Sequence, residues 1–395
     1  VEPFLANEMS DDNREQITVY LKSLWNEIKH DVSVSRNISE ERLNIIADSL
    51  LGRSSNLAKT SGLIDRIAYH DEYINEIKQA VGVDTDNDLK TVLIADYTEF
   101  VASKLKINTS KNKIAVIYAE GDIIYGEGDE DNIGQGTMGT SLKKAREDNK
   151  VKAIVLRINS PGGSALASEL IWREIELTKK IKPVIVSMGN YAASGGYYIA
   201  TNANKIIAEP TTITGSIGVF GMLPNGKVLA DNMGINAEQV VTNKNAVSYS
   251  FFEPLSEEQR AFKKEGVFDV YDLFTKRVAD GRNLTREQVE AIAQGRIWTG
   301  ADALKNGLVD ELGGLDLALE YAAEAAEIND YKIKEFPVFE KNLDEILQDF
   351  GLVKAKETIL KDELGEENYK LLKAVKKMSE KKGVQLLFPF GTDIK

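Results

Sequence analysis

The sequence reads Val-Ile-Val over residues 184–186 and Gly-Asn-Tyr-Ala-Ala-Ser-Gly-Gly-Tyr-Tyr over residues 189–198. The first run is typical of a buried strand, and the small residues after it are typical of a turn into a helix. Such a turn places a hydroxyl at a helix N-terminus, where backbone N–H groups favour developing negative charge. Ser194 is therefore the candidate nucleophile.

A second strand of the same kind ends some thirty residues earlier, where Ala-Ile-Val-Leu-Arg-Ile at 153–158 leads into Asn-Ser-Pro-Gly-Gly-Ser at 159–164. Gly162 and Gly163 let the backbone approach a substrate closely. N–H groups there and at Gly195 are predicted to bind a carbonyl oxygen as it becomes an oxyanion. Either junction alone can arise for purely steric reasons in α/β proteins, but the two together favour a site.

The chain restricts which side chain can serve as the base. It has two histidines, His30 and His70, and both precede the segment 110–320 that carries Ser194, so composition excludes a Ser-His-Asp triad within that segment. With no cysteine and no histidine there, metal hydrolysis is poorly supported, and we expect neither a metal nor a cofactor. A lysine remains, whose pKa of ~10.4 must fall by burial.

Lys244 is the best placed lysine, because a predicted strand at 238–242 leads into it. An ordinary exposed lysine is the alternative interpretation of that position. Sequence context alone does not decide between the two.

An internal repeat links the start of the chain to a later domain. Residues 36–41 (Arg-Asn-Ile-Ser-Glu-Glu) resemble residues 282–287 (Arg-Asn-Leu-Thr-Arg-Glu), and residues 62–65 (Gly-Leu-Ile-Asp) resemble residues 307–310 (Gly-Leu-Val-Asp). Self-similarity of this kind indicates a duplicated unit. We therefore expect the chain to begin within a first repeat, whose counterpart of Lys244 would precede residue 1.

These motifs, with Thr-Gly-Ser-Ile-Gly-Val at 214–219 and Gly-Arg-Ile-Trp-Thr-Gly at 295–300, resemble the signal peptide peptidase A, or protease IV, family. The similarity extends over about residues 1–330. It implies a ClpP/crotonase-like fold and a serine–lysine dyad that cleaves signal peptides left in the membrane after secretion. Matched residue by residue, it assigns Ser194 as nucleophile, Gly163 to the oxyanion position and Ser216 to a hydroxyl near the lysine.

The resemblance leaves two sources for the base. In tandem-domain members the lysine comes from the first domain, and the position of that lysine would here precede residue 1. In single-domain members it comes from a neighbouring subunit, so Lys244 of one protomer would serve Ser194 of another in a homo-oligomeric ring. The resemblance also implies a tether to the inner membrane, with the catalytic part outside the cytoplasm. Apolar walls, among them Ile217, would suit a signal-peptide substrate.

Composition and pattern set the expected architecture. The 395 residues are 43% hydrophobic and 28% charged, and a net charge of −13 argues against a nucleic-acid partner. Strands near 114–118, 153–158, 184–188, 205–208 and 238–242 alternate with helical segments such as 164–180. This order predicts an α/β fold of stacked βαβ units.

We expect four parts: a first-repeat remnant at 1–75, a connecting helical segment at 76–110, a complete catalytic domain at 111–328 and a helical C-terminal extension at 329–395. Two other functions remain open at this point. One is a crotonase-type acyl-CoA enzyme, which would use the same fold and oxyanion hole without Ser194 or a lysine. The other is a non-catalytic scaffold whose dyad is incomplete.

Overall fold

The computed structural model describes residues 7–104, 109–246 and 249–339, together with residues 365, 369, 372 and 384–387. The helices are α1 (Asp11–Arg36), α2 (Glu40–Asp48), α3 (Ser55–Thr60), α4 (His70–Ala80), α5 (Ile94–Lys104), α6 (Gln135–Glu147), α7 (Ala165–Lys179), α8 (Gly195–Ala200), α9 (Lys227–Asn232), α10 (Glu257–Arg282), α11 (Arg286–Ile292), α12 (Gly300–Lys305) and α13 (Leu315–Ala325).

The strands are β1 (Lys113–Glu120), β2 (Asp122–Ile124), β3 (Asn132–Gly134), β4 (Val151–Ser160), β5 (Gly162–Ser164), β6 (Val184–Ala193), β7 (Lys205–Ala208), β8 (Ile213–Gly215), β9 (Phe220–Gly221), β10 (Ile297–Thr299), β11 (Glu311–Leu312), β12 (Lys332–Phe336) and β13 (Val384–Leu387). By its internal contacts the chain divides into two units. One is Leu21–Thr109, and the other joins Val1–Tyr20 with Ser110–Lys395. No helix in the described ranges has the length and apolarity to cross a membrane.

A mainly parallel sheet forms the centre of the larger unit. Its strands run in the order β10-β8-β6-β4-β1-β12, with β7 paired to β6 and β11 paired to β7. Among the described strands of this sheet, only β10 is antiparallel to its neighbour. The α/β fold class predicted from the sequence is confirmed, and the strands expected near 114–118, 153–158, 184–188 and 205–208 are β1, β4, β6 and β7.

Helices cover both faces of this sheet, which explains why its strands are continuous apolar runs. In β1, Ala115 and Ile117 enter a core shared with α6, α7, α8 and α10. Ile114 and Val116 point to the opposite face, where they pack in a second core with α13. Since successive side chains of a strand alternate between faces, a strand buried on both sides has no polar positions to reveal its period.

A smaller sheet lies at the carboxyl ends of the central strands. Its order is β3-β2-β5-β13-β9, and β2 pairs in parallel with both β3 and β5. The strand β5 is therefore bordered on one side by β2 and on the other by β13. This smaller sheet carries the glycine turn predicted to bind an oxyanion.

Two local predictions are wrong. Residues 238–242 do not form a strand, and Val240 is fully exposed to solvent. A β run needs a neighbouring strand for its backbone hydrogen bonds, and none of the described strands pairs with it. In the segment predicted as a helical extension, residues 332–336 form β12, which pairs in parallel with β1. Much of that extension lies outside the described residues.

The repeat found in the sequence corresponds to one structural device used twice. The helices α1 and α10 end at Arg36 and Arg282, and each is followed by an asparagine with positive φ, at 53° for Asn37 and 54° for Asn283. Ser39 and Thr285 then cap α2 and α11 by accepting an amide hydrogen bond. Both repeats therefore turn from helix to helix by the same left-handed step.

The two arginines also bind equivalent partners. Arg36 donates through Nε to the carbonyl of Gly62 at 3.1 Å, and its guanidinium pairs with Asp65. Arg282 donates to the carbonyl of Gly307 at 2.9 Å and pairs with Asp310. In each repeat the arginine thus links the end of its helix to a glycine and an aspartate later in the module. The sequence similarity therefore reflects a preserved set of contacts.

Asp148, at the end of α6, links the strands β1 and β12 to the residue that precedes β4, and we expect Asp148→Asn to weaken this link. Its carboxylate accepts from the amide of Lys150 at 2.9 Å and from Nζ of Lys334 at 3.2 Å, and Lys113 Nζ lies 3.9 Å away. The Lys150 amide first, and then the two lysine charges, hold the pKa of Asp148 below its ordinary value. The folded-state pKa is therefore lower than the unfolded value of about 3.9.

Because the folded-state pKa is depressed, the stabilisation from Asp148 is present above about pH 4 and lost as pH falls through the folded value. Asp148→Asn is expected to lower the free energy of unfolding by about 1 kcal/mol at pH 7. Urea titrations between pH 7 and pH 2 should show a smaller acid loss in this variant than in the parent chain. Glu147→Gln, the same charge change on the exposed neighbour, is the control. Parallel curves for Asp148→Asn and parent would contradict this assignment.

Candidate active site

Ser194 occupies a strained turn between β6 and α8. Its φ of 54° and ψ of −114° are unusual for a residue with a side chain. Backbone hydrogen bonds hold it there, since its N–H donates to the carbonyl of Gly215 at 2.8 Å and its own carbonyl accepts from Tyr198 at 2.8 Å. Strain of this type costs roughly 1–3 kcal/mol and is concentrated at functional sites.

The hydroxyl of Ser194 is fully buried and has no hydrogen-bond partner among the described residues. A buried polar group without a partner costs about 1–3 kcal/mol, so such groups are uncommon outside functional sites. A serine that is held in a strained turn, and whose Oγ makes no hydrogen bond to the described residues, is available to react with a bound substrate.

The glycine turn at β5 depends on the absence of side chains. The strand pairs with β2 so that Gly163 lies opposite Ile123. A Cβ added at Gly163 would lie 2.0 Å from the carbonyl oxygen of Ile123, and the φ of Gly163 is 155°. Gly162 also has a positive φ, of 103°, and its amide donates to Ser160 Oγ at 3.1 Å. Only glycine fits at position 163.

The structure brings the glycine turn and the serine turn together. At the first turn of α8, a Cβ on Gly196 would lie 2.6 Å from the carbonyl oxygen of Ser160, at the end of β4. The helix that starts at Gly195 therefore packs directly on the backbone that leads into Gly162 and Gly163. The two motifs are about 30 residues apart in the sequence, and neighbouring strands β4 and β6 bring them to one edge of the sheet.

Ser216 and Ile217, two further candidate site residues, directly follow β8. The strand β8 pairs with the end of β6 so that Gly215 lies opposite Ala193, and Ser216 is the next residue. Ser216 is buried, has a φ of 49°, and donates its amide to the carbonyl of Arg296 at 2.7 Å. Ile217 is fully buried and packs in the main core. The register therefore places Ser216 beside Ser194.

Lys244 lies outside this cluster within the described protomer. Its side chain is 78% exposed and forms an ion pair with Glu258. The segment that precedes it is irregular, because the strand predicted at 238–242 does not form. The ammonium group of Lys244 and the hydroxyl of Ser194 make no hydrogen bond to each other in this protomer.

Two tyrosines of α8 anchor the serine turn, a role that was not assigned to them from the sequence although they end the serine motif. Tyr197 donates from its hydroxyl to the carbonyl of Leu308 at 2.8 Å, and Tyr198 donates to Glu169 at 2.5 Å. Glu169 also pairs with Arg277, whose guanidinium stacks on the ring of Trp172 at 3.6 Å. These contacts fix the short helix from both sides.

Burial dominates the electrostatics of these anchors. Burial raises the pKa of the Tyr197 hydroxyl. Burial first, and then the adjacent Glu169 carboxylate, raise the pKa of the Tyr198 hydroxyl. Both tyrosines therefore remain protonated donors at neutral pH. The only available signal in the sequence is the Tyr-Tyr pair immediately after the Gly-Gly of the serine motif.

A strained serine beside a glycine turn, both at the edge of a mainly parallel α/β sheet, is the arrangement of a serine hydrolase. The family model of Peptidase family S49 matches residues 2–84 and 176–329, which together make up more than half of the chain. The chain belongs to this peptidase family, and the resemblance stated from its motifs is confirmed. Each matched segment contains one copy of the helical repeat.

Individual proteins agree with this assignment. Protease 4 of Haemophilus influenzae is 39% identical over 347 residues, which cover 86% of this chain and 56% of that protein. The chloroplastic serine protease SPPA of Arabidopsis thaliana is 36% identical over 325 residues, or 81% of this chain and 48% of the relative. A putative signal peptide peptidase SppA of Enterococcus faecium is 37% identical over 201 residues, covering 50% and 58%. The chain spans about half the length of the curated relatives it matches.

Proposed function

We propose that this chain carries the nucleophile of a serine endopeptidase that degrades cleaved signal peptides at a membrane. The observation that supports this most directly is the buried, strained hydroxyl of Ser194, which has no partner among the described residues and lies next to the glycine turn. Membership of a peptidase family and similarity to a protein described as a putative signal peptide peptidase support the substrate class. The catalytic part is proposed to lie on the extracytoplasmic side of the inner membrane.

In the proposed mechanism a neutral lysine takes the proton of Ser194, and the resulting alkoxide attacks a peptide carbonyl. Amides near Gly163 and Gly195 stabilise the oxyanion of the tetrahedral intermediate. The intermediate collapses to an acyl-enzyme as the amine leaves with a proton, and water then releases the acyl group. The half-buried Val219 and Phe220 are proposed to supply apolar surface for an apolar peptide. Ile217, expected from the sequence to line the site, is fully buried in the core and can only support that surface from behind.

The base is proposed to come from outside the protomer that carries Ser194. Within the described protomer Lys244 is engaged with Glu258 at the surface, whereas Ser194 Oγ has no partner among the described residues. Two sources fit this observation. Lys244 of a second copy serves Ser194 in a homo-oligomeric ring, or a lysine of a preceding repeat serves it in a polypeptide as long as the relatives.

Subunit complementation tests the source of the base. If Lys244 acts across a subunit interface, chains with Lys244→Ala and chains with Ser194→Ala will each fail to react with a fluorophosphonate, and a co-assembled mixture will regain up to about half of the parent labelling. Lys263→Ala, at an exposed position of α10, is the control and is expected to label like the parent.

A longer polypeptide that includes a first repeat tests the alternative. If Ser194→Ala abolishes labelling of that longer form and Lys244→Ala leaves it unchanged, the base belongs to the first repeat. Full labelling of an isolated, monomeric copy of the present chain would contradict both sources, because the base would then lie in the same protomer.

A further inference from the structure

The strand β13, close to the C-terminus, lies in the smaller sheet between β5 and β9. It is antiparallel to both, with Leu386 opposite Gly163 and Gln385 opposite Phe220. The pairing spans Ser164 to Gly162 on one side and Gly221 to Phe220 on the other. A segment about 220 residues later in the sequence is therefore hydrogen-bonded to the glycine turn of the candidate active site.

Both strands that border β13 belong to the walls of that site. On one side, β5 is the turn whose amides are proposed to bind the oxyanion. On the other side, β9 directly follows the segment containing Ser216 and Ile217. The strand β13 also approaches α8, which begins immediately after Ser194. It thus fills the space between β5 and β9, and on the proposed function this space is the groove through which an extended peptide would reach the nucleophile.

Backbone pairing explains how such a groove binds peptides of varied sequence. A strand inserted between two strand edges satisfies N–H and C=O groups along both of its sides, whatever side chains it carries. Residues 383–390 read Gly-Val-Gln-Leu-Leu-Phe-Pro-Phe, a stretch without a charged residue. The central region of a signal peptide is likewise a run of about 7–15 apolar residues. The segment containing β13 therefore has the composition of the proposed substrates.

We propose that β13 is an intramolecular ligand of the peptide groove, and that peptide substrates bind only by displacing it. The identification of the groove as a substrate site rests on the proposed function. A tethered segment acts at an effective concentration on the order of millimolar. The apparent association constant for a free peptide of similar sequence is consequently the intrinsic constant multiplied by the fraction of time for which the groove is empty.

Proline substitutions in β13 test this competition. Adjacent residues of a central strand direct their amides to opposite neighbours, so Gln385→Pro together with Leu386→Pro removes one possible hydrogen bond toward each of β5 and β9. Gln385→Ala with Leu386→Ala is the matched control, because it keeps every backbone amide. All forms are made in the full chain and carry Ser194→Ala, so no probe is cleaved.

The probe is a fluorescein-labelled peptide with the sequence of residues 383–390. We expect it to bind the double-proline variant at least about 10-fold more tightly than the parent, as measured by fluorescence anisotropy. The double-alanine control should change the affinity much less. Amide hydrogen exchange in β5 and β9 should be faster in the double-proline variant, and the unlabelled peptide added in trans should slow it again.

Restored protection by the added peptide shows that the variant is folded and that its groove is open. Equal affinity of the probe for the parent and the double-proline variant would overturn the proposal. Faster exchange that the peptide does not reverse would also overturn it, because the prolines would then have disrupted the sheet rather than emptied a binding groove. These readouts do not depend on hydrolysis. An inactive protease would leave the binding and exchange results unchanged, whereas failure of the proposal for β13 would appear in those results.

Discussion

Ser194→Ala is expected to abolish peptide hydrolysis and fluorophosphonate labelling while leaving the protein at least as stable as the parent. Loss of a serine nucleophile typically lowers kcat by about 10⁴–10⁶-fold. The stability effect has the opposite sign, because the substitution removes a buried hydroxyl that has no partner among the described residues. We expect the free energy of unfolding to stay constant or to rise by up to about 1 kcal/mol.

Two measurements on the same variant separate these effects. Labelling and peptide cleavage are followed in the assembled or longer form that is active, and unfolding is followed by urea titration. Ser141→Ala, at a buried serine of α6, is the matched control and should retain activity. If Ser194→Ala retained labelling, the nucleophile would lie elsewhere. If it lowered stability by more than about 1 kcal/mol, the hydroxyl would have a structural partner.

Gly163→Ala is expected to have the second largest effect, on both stability and activity. Its Cβ would lie 2.0 Å from the carbonyl oxygen of Ile123, and that backbone atom cannot move without breaking the pairing of β2 with β5. Strain and overpacking together should cost about 3 kcal/mol. In protein that still folds, displacement of the turn from the oxyanion position should lower kcat by about 10²–10³-fold.

Gly139→Ala provides the matched comparison for this variant. Gly139 lies within α6, where an added Cβ would only touch Glu174 at an ordinary distance of 3.7 Å. Alanine is the better helix former, so this variant should gain about 0.5–1 kcal/mol. Urea unfolding and steady-state hydrolysis of the two variants, measured in parallel, decide the point. A normal kcat in a folded Gly163→Ala protein would contradict the assignment of the glycine turn to the oxyanion site.

The anchoring of α8 shows why part of the site could not be predicted. Ser194, Gly162 and Gly163 stand out because paired glycines and a small nucleophile at the ends of buried strands form a recognisable local pattern. Glu169 and Arg277 have no such signal, since they lie on α7 and α10 as ordinary charged residues. Their role exists only because those two helices pack against the same turn.

The placement of Lys244 shows a different limit of sequence reasoning. An apolar run before a lysine predicts a strand, but β structure requires a pairing partner, and the described fold offers none to residues 238–242. The chain alone therefore leaves Lys244 on the surface, paired with Glu258. A meeting between Lys244 and Ser194 requires a second copy of the chain, and no local pattern in the sequence encodes such an assembly.

Short-range chemistry made several features of this protein predictable from its residues alone. These are the turn at Ser194, the glycine pair, the alternation of strands and helices, and the repeated helical module. The turns and the alternation depend on the steric properties of a few adjacent residues, and the repeated module is visible because the same residues recur later in the chain. The choice of neighbouring strands, the addition of β12 to β1 and the position of β13 between β5 and β9 emerged only in the folded chain. Burial and hydrogen bonding between segments hundreds of residues apart select those pairings, and such contacts leave no periodic signal in the chain.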